Sequence, residues 1–347
     1  SAGQVTVLAN ALQGTTGVAV GAALSGNSAA GTGSSLVNLF QSTTTASLDH
    51  GTVYANALSV EANGNNGFFA AVGSGAIGSS AGIGATVVVA TSNNTVQAFV
   101  GDTDPSTAAT DLHLSGALAI NASNTTSIES YAIVGSFGGS MGIAAQFSGL
   151  IITNEVDAEL RNATVNTSGA VNVSATETDT LMPVVGGLAG GGSAGIGAAV
   201  NLVILKSNTK ALMAGATVTT TGDVTVSALS TRDVKPITAI ASLGGSLGIA
   251  GTVGVVLIGS GATSDQMSVL NSQAQTDDPN VPSGGTLDNA GRASGTNVVA
   301  ATGSGVDGIS AQIIGGSVTA NKVDVNAKAQ TSVLNIVGAL AVGVSTG

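Results

Sequence analysis

The stretch Gly191–Asn208, GGSAGIGAAVNLVILKSN, decides the fold because close copies of it recur along the chain. The copies are a degraded GNSAAGTG from Gly26, GSSAGIG from Gly78, GGSMGIA from Gly138 and GGSLGIA from Gly244. Three of these motifs contain Gly142, Gly195 and Gly248, which are 53 residues apart in each case. Self-similarity at a fixed period indicates repeating units that stack and bury a continuous core.

A second recurring string alternates aliphatic and other residues and ends in Ala. Its six copies are VTVLA from Val5, LSVEA from Leu58, LAINA from Leu118, VNVSA from Val171, VTVSA from Val224 and VDVNA from Val323. Two aliphatic residues and the final Ala fall on one face, as a half-buried strand requires. Gly or Asn stands two positions before each copy, and both accept positive φ cheaply. The pattern therefore predicts a tight corner at Gly3, Asn56, Gly116, Gly169, Gly222 and Asn321.

The two signatures keep a constant distance on one side only. In four copies, 22 residues separate the second aliphatic residue of the string from the glycine of GIG or GIA. The other side carries insertions at 101–115 and 264–308, whose Asp, Pro, Gly and Thr are typical of loops. We predict about four strands per repeat and one continuous array over 1–347. The predicted units are 1–67 (irregular), 68–130, 131–183, 184–236, 237–335 with the insertion 264–308, and 336–347 as the start of a sixth.

The composition restricts both the core and the partners. The 347 residues include 51 Gly, no Cys and no Trp, and 8% are charged, against roughly 25% in a typical soluble domain. Small aliphatic side chains must therefore form the core. The net charge of −11, with only 8 Lys and Arg, argues against nucleic acid and anionic membrane surfaces as partners. The lack of Cys excludes a disulfide framework and thiolate metal sites.

Two other interpretations of the glycine-rich stretch are disfavoured. Val184–Leu205 is uncharged and reaches membrane-spanning length, but no Lys/Arg asymmetry and no Trp/Tyr belt accompany it, so no membrane span is predicted. A dinucleotide loop is disfavoured because no amphipathic helix follows and the motif recurs in every repeat. We favour a pair of strands joined or bent at GGS, apolar on both faces, and covered by neighbouring coils or by another chain.

Few residues are candidates for chemistry. His50 and His113 are the two histidines, and no G-x-S-x-G elbow supports a catalytic triad with either. We predict no catalytic, cofactor-binding or metal-binding residues and no enzymatic activity. The acidic pairs Asp102 with Asp104 and Asp277 with Asp278 are the one candidate set for Ca²⁺, which prefers oxygen ligands.

The segment GGSAGIGAAVNLVILKSNTKALMAGATVTTTGDVTVSA, together with its copies over essentially the whole chain, resembles a known family. It is similar to the repeats of large secreted filamentous adhesins of Gram-negative bacteria, the filamentous haemagglutinin-like and leukotoxin-like β-strand-repeat proteins. The resemblance implies a β-solenoid, export to the cell surface and a role in adhesion or fibre formation. Because that family often uses coils of about 20 residues, it also implies two to three coils per period.

These observations together predict an all-β fold, a parallel β-solenoid (β-helix) of ~53-residue repeats, with a stacked multi-sheet β array as the alternative. The expected function is a structural, non-enzymatic segment of an extracellular bacterial filament or adhesin stalk, self-assembling into fibres or biofilm. The alternative is an adhesive module whose insertion loops contact a receptor or glycan. The expected partners are further copies of the chain, in fibre or lateral association, and a host or neighbouring-cell surface.

Overall fold

The computed structural model of the chain describes residues 2–102, 110–259, 292–302 and 308–343, and the regular elements in these ranges are all β-strands. The strands are β1 (Ala2–Ser25), β2 (Ala30–Leu48), β3 (Gly51–Gly78), β4 (Ala81–Val100), β5 (Thr110–Leu114), β6 (Leu118–Gly138), β7 (Met141–Arg161), β8 (Ala163–Thr167), β9 (Val171–Gly191), β10 (Ala194–Ala214), β11 (Thr217–Thr220), β12 (Asp223–Val234), β13 (Ile237–Gly244), β14 (Leu247–Gly259), β15 (Arg292–Thr302), β16 (Ile309–Ile314), β17 (Ser317–Thr319), β18 (Lys322–Val333) and β19 (Ile336–Gly343).

One coil of the solenoid consists of three strands, as β9, β10 and β11 show. β9 ends at Gly191, and a turn at Gly192 and Ser193 reverses the chain into β10. The short β11 closes the coil before β12 begins the next one. The prediction of about four strands was wrong because the alternating string and the run before the glycine motif form one 21-residue strand in β9.

Consecutive coils pair in parallel, and the step between paired residues is 53 where no insertion intervenes, as between β7, β10 and β14. Ala194 pairs with Met141 on one side and with Leu247 on the other, which is a step of 53 residues each way. Between β4 and β7 the step is 60, from Ala81 to Met141, and the insertion 101–115 lies in that interval. One period is therefore one wide coil, and the prediction of two to three coils per period was wrong.

The coils build two sheets. The 12-stranded sheet has the order β17-β11-β8-β5-β3-β6-β9-β12-β18, with β1, β13 and β19 paired beside it. The 7-stranded sheet has the order β15-β14-β10-β7-β4-β2, with β16 beside β10. β3 joins the short and long sides of the first sheet, because Gly51–Ala55 pairs with β5 while the part from Leu58 onward pairs with β6. The predicted all-β parallel β-solenoid is confirmed.

The core between the sheets has two apolar parts divided by polar side chains. In the coil of β9 and β10, one cluster contains Val173, Ala175, Ala211 and Met213, near the short strands. The other lies toward the glycine turn. We call these regions the base half and the tip half of each coil. The tip half of this coil spans residues 181–205, and its base half comprises residues 171–176 and 208–220. The buried side chains that separate them, which include Glu177, Asp179 and Ser207 in this coil, form the polar seam.

The glycine motif is required by space at the tip, where the two sheets converge. A Cβ added at Gly195 would lie closer than 3.0 Å to the Leu243 carbonyl oxygen of the facing sheet. Gly82, Gly142 and Gly248 face backbone carbonyls of the opposite sheet in the same way. The glycines of the turn itself, such as Gly192, would clash with the turn of the preceding coil. The close backbone approach expected at these glycines is therefore present.

The left-handed backbone lies at a different corner from the one predicted. Gly116, Gly169 and Gly222 are absent from the positive-φ residues of the described chain, and space instead excludes a side chain there. Positive φ occurs before the short strand, at Asn162 (44°) and Gly215 (63°) among others. The tight corner predicted before each alternating string is present at Gly116, Gly169, Gly222 and Asn321, with ordinary φ, whereas Gly3 and Asn56 lie within β1 and β3, where the prediction was wrong.

The insertion 264–308 interrupts a strand of the second sheet. β14 ends at Gly259, and residues 260–291 and 303–307 lie outside the described part. β15, within the insertion, pairs with β14 from Ile249 onward, and β16 then pairs with the end of β10. The predicted boundary at 183/184 falls inside β9, so the predicted units share the period of the coils but begin in mid-strand.

Candidate functional site

His50 lies at the corner that precedes β3 and has a positive φ of 55°. Its Nδ1 is 2.8 Å from Asp49 Oδ1, and its Nε2 is 3.2 Å from Asp102 Oδ2. Both ring nitrogens thus face a carboxylate. This arrangement fixes the ring between two coils and leaves no free nitrogen to act as a base toward a serine.

His113 lies on the short side of the next coil, in β5. Its Nε2 is 3.1 Å from Asp111 Oδ2, and its ring stacks on Tyr54 with centroids 4.8 Å apart and an angle of 7°. The two rings lie in register on neighbouring strands. The structure therefore gives each histidine its own local partners rather than bringing the two into one constellation.

Of the predicted calcium ligands, only Asp102 lies in the described residues, while Asp104, Asp277 and Asp278 lie outside them. Asp102 groups with Asp49 and His50, whose potential ligand atoms are within 4.8 Å of one another. Ca²⁺ takes roughly six to eight oxygen ligands, and two carboxylates with an imidazole do not fit that preference. The described donors therefore do not build a calcium site.

The polar seam holds two fully buried carboxyl groups on β9. Thr209 and Ser230 donate hydrogen bonds to Glu177 Oε2 at 2.8 and 3.2 Å, and Asn154 donates to Asp179 Oδ1 at 2.7 Å. Burial raises the pKa of Glu177, and burial together with the Glu177 charge raises the pKa of Asp179 well above its ordinary value. Among the described residues, Glu177 Oε1 and Asp179 Oδ2 lack a hydrogen-bond donor. A proton held by one carboxyl supplies the donor that the other needs.

This carboxyl pair is inaccessible, which decides what it can do. Both side chains are 0% exposed, so a sugar or another substrate has no route to them. Asn94, Asn124 and Asn154 continue the seam along the axis through amide hydrogen bonds, such as Asn94 Nδ2 to Asn154 Oδ1 at 2.9 Å. Hydrogen bonds between buried side chains of successive coils favour one alignment of neighbouring strands, so the seam acts on register between coils.

Charged side chains gather on the outer face of the second sheet in the base half. Glu159 accepts hydrogen bonds from Arg161 (2.5 and 2.6 Å) and from Lys210 (2.8 Å). Although burial opposes it, these bonds lower the pKa of Glu159. Neighbouring Asp157 lacks such a pair, and burial together with the charges of Glu155 and Glu159 raises its pKa to about 6. The Glu159–Lys210 pair joins β7 to β10 and so links two successive coils electrostatically.

The outer face of the first sheet is apolar in the tip half, and we call this surface the tip face. Six strands contribute four outward positions each, and parallel register aligns these positions into columns. The positions are Val18, Val20, Ala22 and Leu24 in β1; Ala71, Gly73, Gly75 and Ile77 in β3; Tyr131, Ile133, Gly135 and Phe137 in β6; Val184, Gly186, Leu188 and Gly190 in β9; Ile237, Ala239, Ala241 and Leu243 in β13; and Ile336, Gly338, Leu340 and Val342 in β19. None of them is charged.

The tip face is open to solvent in the single chain. Ile133, Leu188 and Leu340 are 54%, 48% and 58% exposed. Gly135, Gly186 and Gly338 line a groove between these larger side chains. Monomers rarely expose contiguous apolar patches above roughly 300–600 Å², so a surface of this kind indicates an interaction site.

The base half of the same outer face is mainly polar, with Leu8, Leu12 and Leu229 as its exposed leucines. Asn63 donates to Asn10 Oδ1 across neighbouring strands at 3.0 Å, and Ser227 and Ser174 hydroxyls are 3.2 Å apart. Thr125 and Thr178 continue this surface in register. The serines of the tip turns, such as Ser140 and Ser193, are exposed at the opposite border. The tip face is therefore bordered by the turn serines at one end of its strands and by a mainly polar surface, interrupted by Phe69 and Leu334, at the other.

Sequence reasoning anticipated an apolar stretch that needs covering but did not identify the surface. The signal was present, since Val184–Leu205 is apolar in both alternating registers, whereas a one-sided strand needs only one. Neighbouring coils cover the inward register and leave the outward one exposed. The receptor or glycan role predicted for 264–308 falls mostly on residues outside the described part and stays a prediction.

Comparison with known proteins adds no relative: no family model, no curated protein and no solved structure matches the chain. Within the described ranges, there is no helix with the length and apolar character needed to cross a bilayer.

Proposed function

We propose that the chain is a structural, non-enzymatic segment of an extracellular bacterial filament or adhesin stalk. The observation that carries this proposal is the in-register stacking of wide coils, in which Met141, Ala194 and Leu247 follow one another at the same position of successive coils. Each coil adds one strand spacing, about 4.8 Å, to the length of the rod. Length is therefore proportional to the number of repeats, as a spacer requires.

The packing of the interior is consistent with a structural role for the chain. Both apolar clusters run through successive coils, so each coil buries its side chains against the one before and the one after. The seam adds amide and carboxyl hydrogen bonds between coils. The carboxyl groups of Glu177 and Asp179 are inaccessible, and His50 and His113 are engaged with local carboxylates. The surface location and adhesive setting rest on the resemblance to filamentous adhesins.

The test is to change the number of coils. Residues 117–169 form one complete coil between equivalent corner glycines, Gly116 and Gly169. We expect deletion of this segment to shorten the particle by about 4.8 Å, and its tandem duplication to lengthen it equally, with unchanged β-sheet circular dichroism. Small-angle X-ray scattering and electron microscopy measure the length. Loss of the fold on duplication, or a length that does not follow coil number, would contradict the proposal.

A further inference from the structure

The tip face has the size of a protein–protein interface. Six strands at about 4.8 Å spacing and eight residues at about 3.3 Å enclose roughly 750 Å² before side-chain relief is counted. A stable dimer of standard size buries roughly 800 Å² on each partner. One flat contact between two such faces would therefore bury what a specific complex needs.

The projecting side chains and the groove of the tip face are suited to packing against another β-sheet. Ile133, Leu188 and Leu340 stand out beside the groove lined by Gly135, Gly186 and Gly338. Stacked sheets pack at roughly 10 Å with interdigitating side chains, so projecting residues of one sheet occupy the groove of its neighbour. A two-fold axis brings the same surface of both copies together, so the projecting side chains of each copy face the groove of the other.

The borders of the tip face distinguish a protein partner from a lipid one. Exposed turn serines such as Ser140 and Ser193 form the leading edge of the tip, and the Asn, Ser and Thr side chains of the base half form the other border. An apolar centre with a polar rim is the anatomy of a protein interface. Entry into a bilayer tip-first would place the polar serine row deepest, where hydroxyl groups are most costly.

We propose that the tip face binds the tip face of a second copy of this chain, so that two solenoids pack side by side through their first sheets. This pairing goes beyond axial extension and stands on the tip face alone. It makes lateral association a property of the stacked coils, each of which contributes one strand to the contact. The outward residues of 184–190, the run before the glycine motif on β9, and of the equivalent runs on the neighbouring strands then acquire a second covering.

The direct test places charges on the tip face. Ile133→Lys with Leu188→Lys alters two exposed side chains on β6 and β9, and Ser123→Lys with Thr178→Lys is the matched control on the polar half of those strands. The two pairs have the same diagonal register offset. By analytical ultracentrifugation we expect the wild-type chain to dimerise, the tip-face variant to weaken dimerisation at least about 100-fold, and the control to stay within about 3-fold.

A second measurement uses the lack of Cys in the chain. Leu188→Cys variants are expected to form covalent dimers, through a disulfide when an oxidant is added or through a flexible bis-maleimide that couples two reduced thiols, whereas Thr178→Cys variants remain monomeric under both treatments. A wild-type chain that sediments as a monomer over the whole accessible concentration range overturns the proposal. So does an undiminished dimer in the tip-face variant. Co-sedimentation of a monomeric wild type with phosphatidylcholine vesicles would assign the surface to lipid instead.

The tests separate this pairing from the proposed spacer role. The coil deletion and duplication are repeated in the Ile133→Lys, Leu188→Lys background, where particle length is measured on single solenoids. Length that follows coil number without wild-type dimerisation would leave the spacer proposal standing and overturn the pairing. Wild-type dimerisation together with a particle length that does not follow coil number would leave the pairing standing and overturn the spacer proposal.

Discussion

The two halves of each coil use the same long strands in different ways. In the base half, inward residues form an apolar cluster while outward residues such as Asn63 and Thr178 are polar. In the tip half, inward residues form a second cluster, and the outward residues of the first sheet are apolar as well. A solenoid needs only one apolar face per strand. The comparison therefore separates residues that the fold requires from residues that it does not.

The halves also differ in how closely the sheets approach. The base half is three-sided, because a short strand such as β11 spaces the two long sides apart. The tip half is two-sided, and its sheets converge on a turn of two residues. Glycine is consequently a packing requirement at the tip, where Gly195 lies against the backbone of β13.

The largest expected effect comes from filling the tip. Gly195→Ala places a Cβ against the Leu243 carbonyl, and a backbone held by ladders on both sides cannot move away. We expect a loss of at least about 4 kcal/mol in the free energy of unfolding, measured by urea denaturation. Gly251→Ala is the control, since an added Cβ at Gly251 meets nothing within 4 Å and its stability should change by less than about 0.5 kcal/mol. Equal losses for both would show that space at the tip is not the constraint.

The next largest expected effect is the loss of stability on truncating a large side chain, compared between buried residues of both halves and an exposed residue of the tip face. Ile120 in the base cluster and Ile152 in the tip cluster are fully buried, while Leu243 of the tip face is 46% exposed. We expect Ile120→Ala and Ile152→Ala each to cost about 2–5 kcal/mol, and Leu243→Ala less than about 1 kcal/mol, in the monomeric Ile133→Lys, Leu188→Lys background. Denaturation midpoints measure this. A Leu243→Ala loss as large as that of Ile152→Ala would mean that the tip face belongs to the core of the single chain.

The sequence contained the period, the strand class and the places of the insertions, because these depend on local patterning. The 22-residue spacing from Val173 to Gly195 is one strand and its turn, which the alternation beginning at Val171 already indicated. The number of strands per coil was missed because the alternating string and the run before the glycine motif form one strand, β9, which continues through its internal glycines Gly186 and Gly187. Only the partner strands β6 and β13 hold it extended there.

The tip face and the polar seam were less predictable from the sequence because they depend on which residues of neighbouring strands pair with each other. The columns of the tip face arise from pairs such as Gly135 with Leu188 and Leu188 with Ala241, which lie 53 residues apart in sequence. The seam has the same origin, since Glu177, Asn154 and Arg232 come from three coils. Composition showed that charges are scarce but not that two carboxyl groups would be fully buried.

The smallest expected effect is the pH dependence of stability that arises from the charged side chains of the base half. Asp157, on the outer base half, has a pKa raised to about 6 from an ordinary 3.8 by burial and by Glu155 and Glu159. A carboxyl that binds its proton more tightly in the folded state contributes stability below about pH 4 that is lost as pH rises through about 6. The shift corresponds to about 3 kcal/mol, reduced to roughly 1–2 kcal/mol because solvent reaches part of the group.

Asp157→Asn should therefore match the wild-type chain in stability at pH 4 and exceed it by roughly 1–2 kcal/mol at pH 8, in urea denaturation at both values. Lys210→Gln tests the same balance in reverse, because the Lys210 charge lowers the pKa of Asp157. Its removal should make stability fall more steeply between pH 5 and pH 8. If Asp157→Asn gives the same change at both pH values, packing rather than charge limits this corner of the base half. In that case the charges of the base half would not account for a difference in stability from the uncharged tip face.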